Sequence, residues 1–318
     1  MKNTSRLITL CLLIIFVFAV PAYSWSDTGH MAVAYVAYQK LTPQARARVD
    51  ALVRLNPRFS VWNSWIPQGT PAAKRRLMLF MIAATWPDQI KSLPGFVSDG
   101  PDNGNRPPTD GTADRNVGYS DMSMHKYWHF IDKPFSPDGT ALENPDVPNA
   151  ETQIAAFRAV LASNSPDELK SYDLVWLLHL VGDVHQPLHA TSRFTHATPH
   201  GDAGGNFVKV KDGTNTKALH SFWDGLLGTS RDAAVAVGVG QGLAAAPAAM
   251  ANNLDASAWI DESFKAAKST SYKQPPIGVG TGPFTITTVY RTAARTLARK
   301  RVALAGARLA NILNAELK

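Results

Sequence analysis

The stretch HLVGDVHQPLH, His179 to His189, places three histidines and an aspartate in eleven residues. His179 and Asp183 stand four apart, so on a helix both side chains share a face. Pro187 would end such a helix, and His189 lies just past it, where a turning chain brings its side chain back. The segment HSFWD repeats the spacing with His220 and Asp224. Asp88 follows Trp86-Pro87, His129 sits between aromatics in YWHF, and His30 follows Trp25 by five positions. Polar groups in such apolar contexts need partners, because a buried polar group left alone is costly. A single histidine on an apolar face is more often a hydrogen-bonded core residue than a ligand. Two His-x3-Asp pairs together with His189 point instead to metal. Imidazole nitrogen and carboxylate oxygen are the donors zinc takes at about 2.0–2.2 Å. Eight such side chains exceed the needs of one tetrahedral ion, so several ions would share them.

The elements that must hold these groups read mostly as helix. Residues 30–41 follow Asp27 and Thr28, either a good cap, and stop at Pro43. Further helices are predicted over 43–55, 71–84, 151–163 and 167–186. The Ala-rich stretch 231–252 is also read as helical, though Gly and Pro interrupt it. Near the end Tyr290, Ala294, Ala298, Val302, Ala305, Leu309 and Ile312 recur at helical spacing, with arginines on the other faces read as a solvated surface. Residues 92–120, 132–150 and 198–217 are irregular. The last of these holds one predicted strand, Phe207 to Lys211, beside the turn signal Asp212-Gly213. No repeat or linker divides the chain. The fold class is therefore mainly α, a single domain of packed helices with long loops and a short β-hairpin.

Lys2 and Arg6 lead into an apolar run, Leu7 to Val20, followed by small residues at Ala22 and Ser24. This is the anatomy of a secretory signal, and the run is short of the ~20 residues that span a bilayer. Cleavage after Ser24 divides the chain into a signal peptide, 1–24, and a catalytic domain, 25–318. It leaves no membrane anchor and places the protein outside the cytoplasm, secreted or periplasmic, in a bacterial source. The mature chain is 294 residues (318 less 24), and its net charge falls from +7 to +5 because Lys2 and Arg6 are lost. Its one cysteine, Cys11, goes with the signal. A thiolate metal site and a disulfide are both excluded from the mature chain, and bound metal is the staple that remains.

The ordered set Trp25-x4-His30, WPD at Asp88, WHFID at 128–132, HLVGDVHQPLH, GDAGGN at 201–206 and LHSFWD at 219–224 resembles the S1/P1 nuclease family. It resembles more distantly the zinc-dependent phospholipases C. The likeness runs from residue 25 to about 225; beyond that it is limited to helical character. It implies three Zn²⁺ per chain. Asp88, His129, His179 and Asp183 would hold the first, and His189, His220 and Asp224 the second. The third would take the freed α-amino group and carbonyl of Trp25, with His30 and a bridging Asp183. The implied activity is hydrolysis of single-stranded DNA and RNA to 5′-phosphate products, with 3′-nucleotidase action on nucleotides. No stable protein partner is implied. Asp88 and Asn206 would serve the reaction, Asn206 by orienting Asp88 or by touching the scissile phosphate.

Several residues keep two readings. Phe130 stacks on a base or packs in the core. Asp132 accepts from a base edge or caps a loop. Lys91 reaches a phosphate or is solvated. His185 faces away from His179 on a helix and is given a structural role, while His196 and His200 read as loop residues. The alternative function is a zinc-dependent phospholipase C. Against it stand Asp224, where glutamate is expected in those enzymes, and Phe130-Ile131-Asp132, which suits a base better than a choline head. The chain departs from eukaryotic nucleases of the family by lacking their cysteines.

Overall fold

The computed structural model describes residues 25–317, so the expected signal peptide lies outside the described residues. At its centre runs the helix Asp167–Asp183, with every residue from Ser171 to Asp183 buried. Its apolar residues occupy all faces, which is the pattern of a helix enclosed by others. The helices Asp27–Lys40, Pro43–Val53, Ala150–Ala162 and Thr288–Glu316 pack around it.

Local chemistry explains several of their ends. Thr42 accepts from the Ala45 amide at 3.1 Å, and Pro43 occupies the first helical position, where a missing N–H costs nothing. Asn149 and Thr152 form a reciprocal capping box at the start of Ala150–Ala162. Asp27 and Lys40 lie at opposite ends of their helix, each complementing the backbone dipole.

The predicted helices are present with shifted ends: Asp27–Lys40, Pro43–Val53, Ala72–Ala83, Ala150–Ala162 and Asp167–Asp183. The 231–252 stretch splits into Ala233–Gln241 and Ala248–Ala251, divided where Gly242 and Pro247 stand. All seven residues of the C-terminal stripe are buried, but the solvated-face reading fails for two arginines. Arg301 and Arg308 are buried because Glu262, on the helix Ala256–Ala266, bonds both.

The hairpin pairs Lys209–Asp212 with Asn215–Ala218, turning through Gly213 at φ +65°. The strand therefore starts and ends later than Phe207 to Lys211. Phe284–Thr285 adds a third, parallel strand. A second, two-residue parallel pair joins Pro134–Phe135 to Ser192–Arg193. Among the described residues no helix is long and apolar enough to cross a membrane.

Candidate metal centre

The central helix ends at the site. His179 and Asp183 project one turn apart from its last residues, both fully buried. His179 Nδ1 donates to the Ala84 carbonyl at 2.8 Å, which fixes its proton there and turns Nε2 toward the cluster. Gly182, between the two, lets the N-terminal helix approach. A Cβ there would lie 2.9 Å from His30 Nδ1. The His30 ring stacks on His179 with centroids 3.7 Å apart. Trp25 is buried beside them, its indole Nε1 donating to the Gly182 carbonyl at 3.0 Å.

Short turns bring the remaining groups. The Trp86–Gln89 turn carries Asp88, and the Lys126–His129 turn carries His129. The Pro187–Ala190 turn carries His189, whose Nδ1 donates to the His129 carbonyl at 2.8 Å. The helix Leu219–Asp224 carries His220 and Asp224 at its two ends. His220 Nδ1 donates to the Gly204 carbonyl at 2.8 Å. Gly204 has φ +59°, and a Cβ there would meet the Leu188 carbonyl at 2.3 Å, so the close pass of this loop requires glycine.

Three buried groups result: His30 with Asp88 and His179; His129 with His179 and Asp183; His189 with His220 and Asp224. Each could hold a metal ion. Ligand atoms around a tetrahedral zinc at ~2.1 Å stand ~3.4 Å apart. His179 Nε2 lies 3.3 Å from Asp183 Oδ2 and 3.7 Å from Asp88 Oδ1. His129 Nδ1 lies 3.0 Å from Asp183 Oδ2, and His30 Nε2 lies 3.4 Å from Asp183 Oδ1. The two oxygens of Asp183 thus face different histidines, the arrangement a bridging carboxylate needs. His30 stands near Asp88 and His179 as well as Asp183, a closer merging of the first and third sets than the resemblance implies.

The clearest sign is a contact that ordinary bonding does not explain. His189 Nε2 and His220 Nε2 lie 3.1 Å apart. Each ring already spends its Nδ1 proton on a carbonyl, so in the neutral tautomers two lone pairs face one another. Burial, then the charge of His220, pushes His189 well below the ordinary histidine range, so a proton does not fill the gap. A cation does. Burial likewise lowers His30 and His129 far below that range and His179 to about 4, leaving neutral imidazoles ready to ligate. Asp224 is pushed well up by burial; its Oδ1 accepts from Gln186 Nε2 at 2.9 Å, and its Oδ2 is buried with no hydrogen-bond partner. His129 Nε2 is buried and unbonded too. Burial works to raise Asp88, but Lys91 and His179 outweigh it and hold the carboxyl below the usual range.

Lys91 meets Asp88 Oδ1 at 2.7 Å, both side chains buried, so its ammonium sits on the cluster's edge and is not solvated. Phe130 is half-buried against the core. Asp132 is half-buried nearby, its carboxyl pushed up to about 7 by burial, then Asp202 and Asp146, with Arg106 opposing. Asn206 bonds locally, its Nδ2 donating to the Ala203 carbonyl at 2.8 Å. His185 is buried away from the cluster, donating from Nδ1 to Val181 and accepting on Nε2 from Arg308 at 2.9 Å. His196 and His200 are exposed and pair with Asp138 and Glu143.

Sequence reasoning passed over three supports. Gln186 and Gly182 lie inside the quoted stretch; a glutamine beside a proline turn and a glycine one residue before an aspartate were the available signals. His125 gave no such signal. It adopts φ +43°, stacks on Trp128 at 3.6 Å and bridges Asp99 and Asp121 at 2.8 and 2.9 Å, steadying the turn that carries His129.

A family model described as S1/P1 Nuclease matches residues 25–318. The chain is similar to Endonuclease 2 of Arabidopsis thaliana, 34% identical over 76 residues, covering 24% of this chain and 23% of that protein. It is similar to Nuclease S1 of Aspergillus oryzae, 23% identical over 209 residues, covering 64% of this chain and 54% of that protein. Endonuclease 4 of Arabidopsis thaliana is 34% identical over 70 residues, 21% of each chain. The matched regions thus span about a quarter of the plant proteins and about half of Nuclease S1.

Proposed function

The chain belongs to the S1/P1 nuclease family, and from that premise we propose that it is an exported three-zinc phosphodiesterase. It cuts single-stranded DNA and RNA to 5′-phosphate products and removes 3′-phosphates from nucleotides. The observation that carries the metal requirement is the pair of imidazole lone pairs at 3.1 Å between His189 and His220. The donor set suits zinc: imidazoles and carboxylates, buried, with no thiol.

Asp88, His129, His179 and Asp183 would hold one ion, His189, His220 and Asp224 a second, and the Trp25 amine and carbonyl with His30 and Asp183 a third. Zinc there would supply water of lowered pKa and positive charge for the phosphate oxygens. With three aspartates in the groups, three such ions leave a formal charge of +3, a field suited to a phosphodiester. The third set requires removal of residues 1–24, because an α-amine ligates only when free and deprotonated.

The chain's own residues then position the strand. Lys91 fixes the Asp88 carboxylate in its ionised form. Phe130 offers a ring to an unstacked base, a contact worth about 1–3 kcal/mol that tolerates any sequence and favours single strands. Asp132, its carboxyl pushed up to about 7 by burial, offers a carboxylate to a base edge.

The test is turnover of mature protein on single-stranded DNA, RNA, 3′-AMP and phosphatidylcholine, each with and without zinc. Zinc-dependent cleavage of the first three supports the reading. Cleavage of the lipid alone would replace it with phospholipase C.

A further inference from the structure

The backbone that carries the metal centre runs on into a second feature. Phe135 stands six residues after His129, Arg193 four after His189, and the two are register neighbours across the short parallel pair. Four extended residues span at most ~14 Å, so Arg193 lies within that reach of His189. Between it and residues 268–274 lies a cavity of about 310 Å³, lined by Phe135, Arg193, Lys268, Tyr272 and Lys273 among others. That size is the lower end for pockets that take a small organic ligand.

Its lining combines aromatic rings with positive charge. Phe135 meets Tyr272 with centroids 5.3 Å apart, and Arg193 Cζ lies 4.6 Å over the Tyr272 ring. Arg193 is buried, held by Asp202 at 3.3 Å and by the carbonyls of Gly278 and Gly280 at 2.7 and 3.0 Å. Lys268 and Lys273 are exposed at the rim. The segment FKAAKSTSYK, residues 264–273, holds three lysines and no acid. Its backbone makes a π-helical turn at Ala267–Ser271, an irregularity that recurs at functional sites. Asp132 is within electrostatic reach of Asp202 and Tyr272, and the Tyr272 hydroxyl donates to Asp202 at 2.9 Å.

Rings beside ammonium groups are how proteins track single strands, the rings meeting bases and the cations meeting phosphates. We infer that this cavity is a second nucleotide subsite, taking the base and phosphate of a nucleotide beyond the two that a dinucleotide places at Phe130, Asp132 and the metal centre. The inference rests on the nuclease reading. It makes the protein a reader of strands longer than a dinucleotide.

The test uses zinc-loaded mature protein and hydrolysis-resistant phosphorothioate oligothymidylates of six and two nucleotides, with binding followed by fluorescence anisotropy. The double substitution Lys268→Gln, Lys273→Gln exchanges two rim side chains and leaves the core intact, which a melting curve verifies. The hexamer-to-dinucleotide affinity ratio should fall roughly fivefold. The slope of log affinity against log salt should shrink by about 1.4 for the hexamer, at ~0.7 per phosphate contact on a single strand. A ratio and slope equal to wild type would overturn the subsite. Hydrolysis of unmodified oligonucleotides by wild-type protein is read separately. A lysine-dependent ratio without any hydrolysis would keep the subsite and sink the catalytic reading.

Discussion

Replacing Gly182 by alanine sets two effects against each other in the central helix. Alanine is favoured over glycine in a helix interior by about 1 kcal/mol. The added methyl, however, would sit 2.9 Å from His30 Nδ1 and 3.2 Å from its Cε1. Ordinary contact needs the ring to retreat by ~0.5 Å. His30 is fully buried and stacks on His179 at 3.7 Å, so any retreat disturbs the packing around it. Overpacking of this kind costs about 1–3 kcal/mol, so the clash equals or exceeds the helical gain. The larger effect falls on metal, since ligand atoms tolerate only about ±0.2 Å of displacement. The ion that His30 helps to hold should weaken ten- to hundredfold, or about 1.4–2.7 kcal/mol. The His189, His220 and Asp224 group, on other elements, should keep its affinity. Chelator-competition titration with zinc resolves these classes, and urea unfolding of the metal-free variant measures the clash. A variant that binds every ion as wild type does and unfolds at higher urea would refute the packing argument.

Three further outcomes are expected. Gln186→Leu removes the donor to Asp224 Oδ1 and the acceptor for the Leu188 amide, so one zinc should bind about ten- to hundredfold more weakly with little change at the others; equal affinities in the same titration would count against it. In metal-free protein His179, held at about 4, should withdraw about 3 kcal/mol of stability as pH falls from 6.5 toward 4, because the unfolded chain takes up a proton there and the buried imidazole does not; Asp132 at about 7, Asp173 at about 8 and the raised Asp224 act in the other direction, so the urea midpoint is compared with that of His179→Asn, and equal pH slopes in the two would contradict this. A mature chain carrying one extra methionine before Trp25 should retain its melting temperature within a few degrees yet lose most of its turnover, and full activity would remove the terminal amine from the ligand set.

The groups that could hold metal were legible where helical geometry dictated their placement. His179 with Asp183, and His220 with Asp224, are four apart, and that period alone sets them on one face. The C-terminal stripe was equally readable, since seven residues at helical spacing are all buried. Less legible was anything settled by a distant partner. Arg301 and Arg308 look solvated in sequence and are buried because Glu262 on another helix bonds both. Lys91 lies three residues after Asp88, and only the packed structure closes them to 2.7 Å. His125 gains its role from Asp99 and Asp121 in an irregular loop, where no periodicity announces a contact. The strand edge moved because Gly213 fixes the register of the hairpin.

Metal content tests the central claim most directly. Mature protein, desalted in zinc-free buffer and measured by inductively coupled plasma mass spectrometry against amino-acid analysis, should carry close to three zinc ions per chain, and Asp224→Asn should bring this to about two. A wild-type ratio below two would contradict the account.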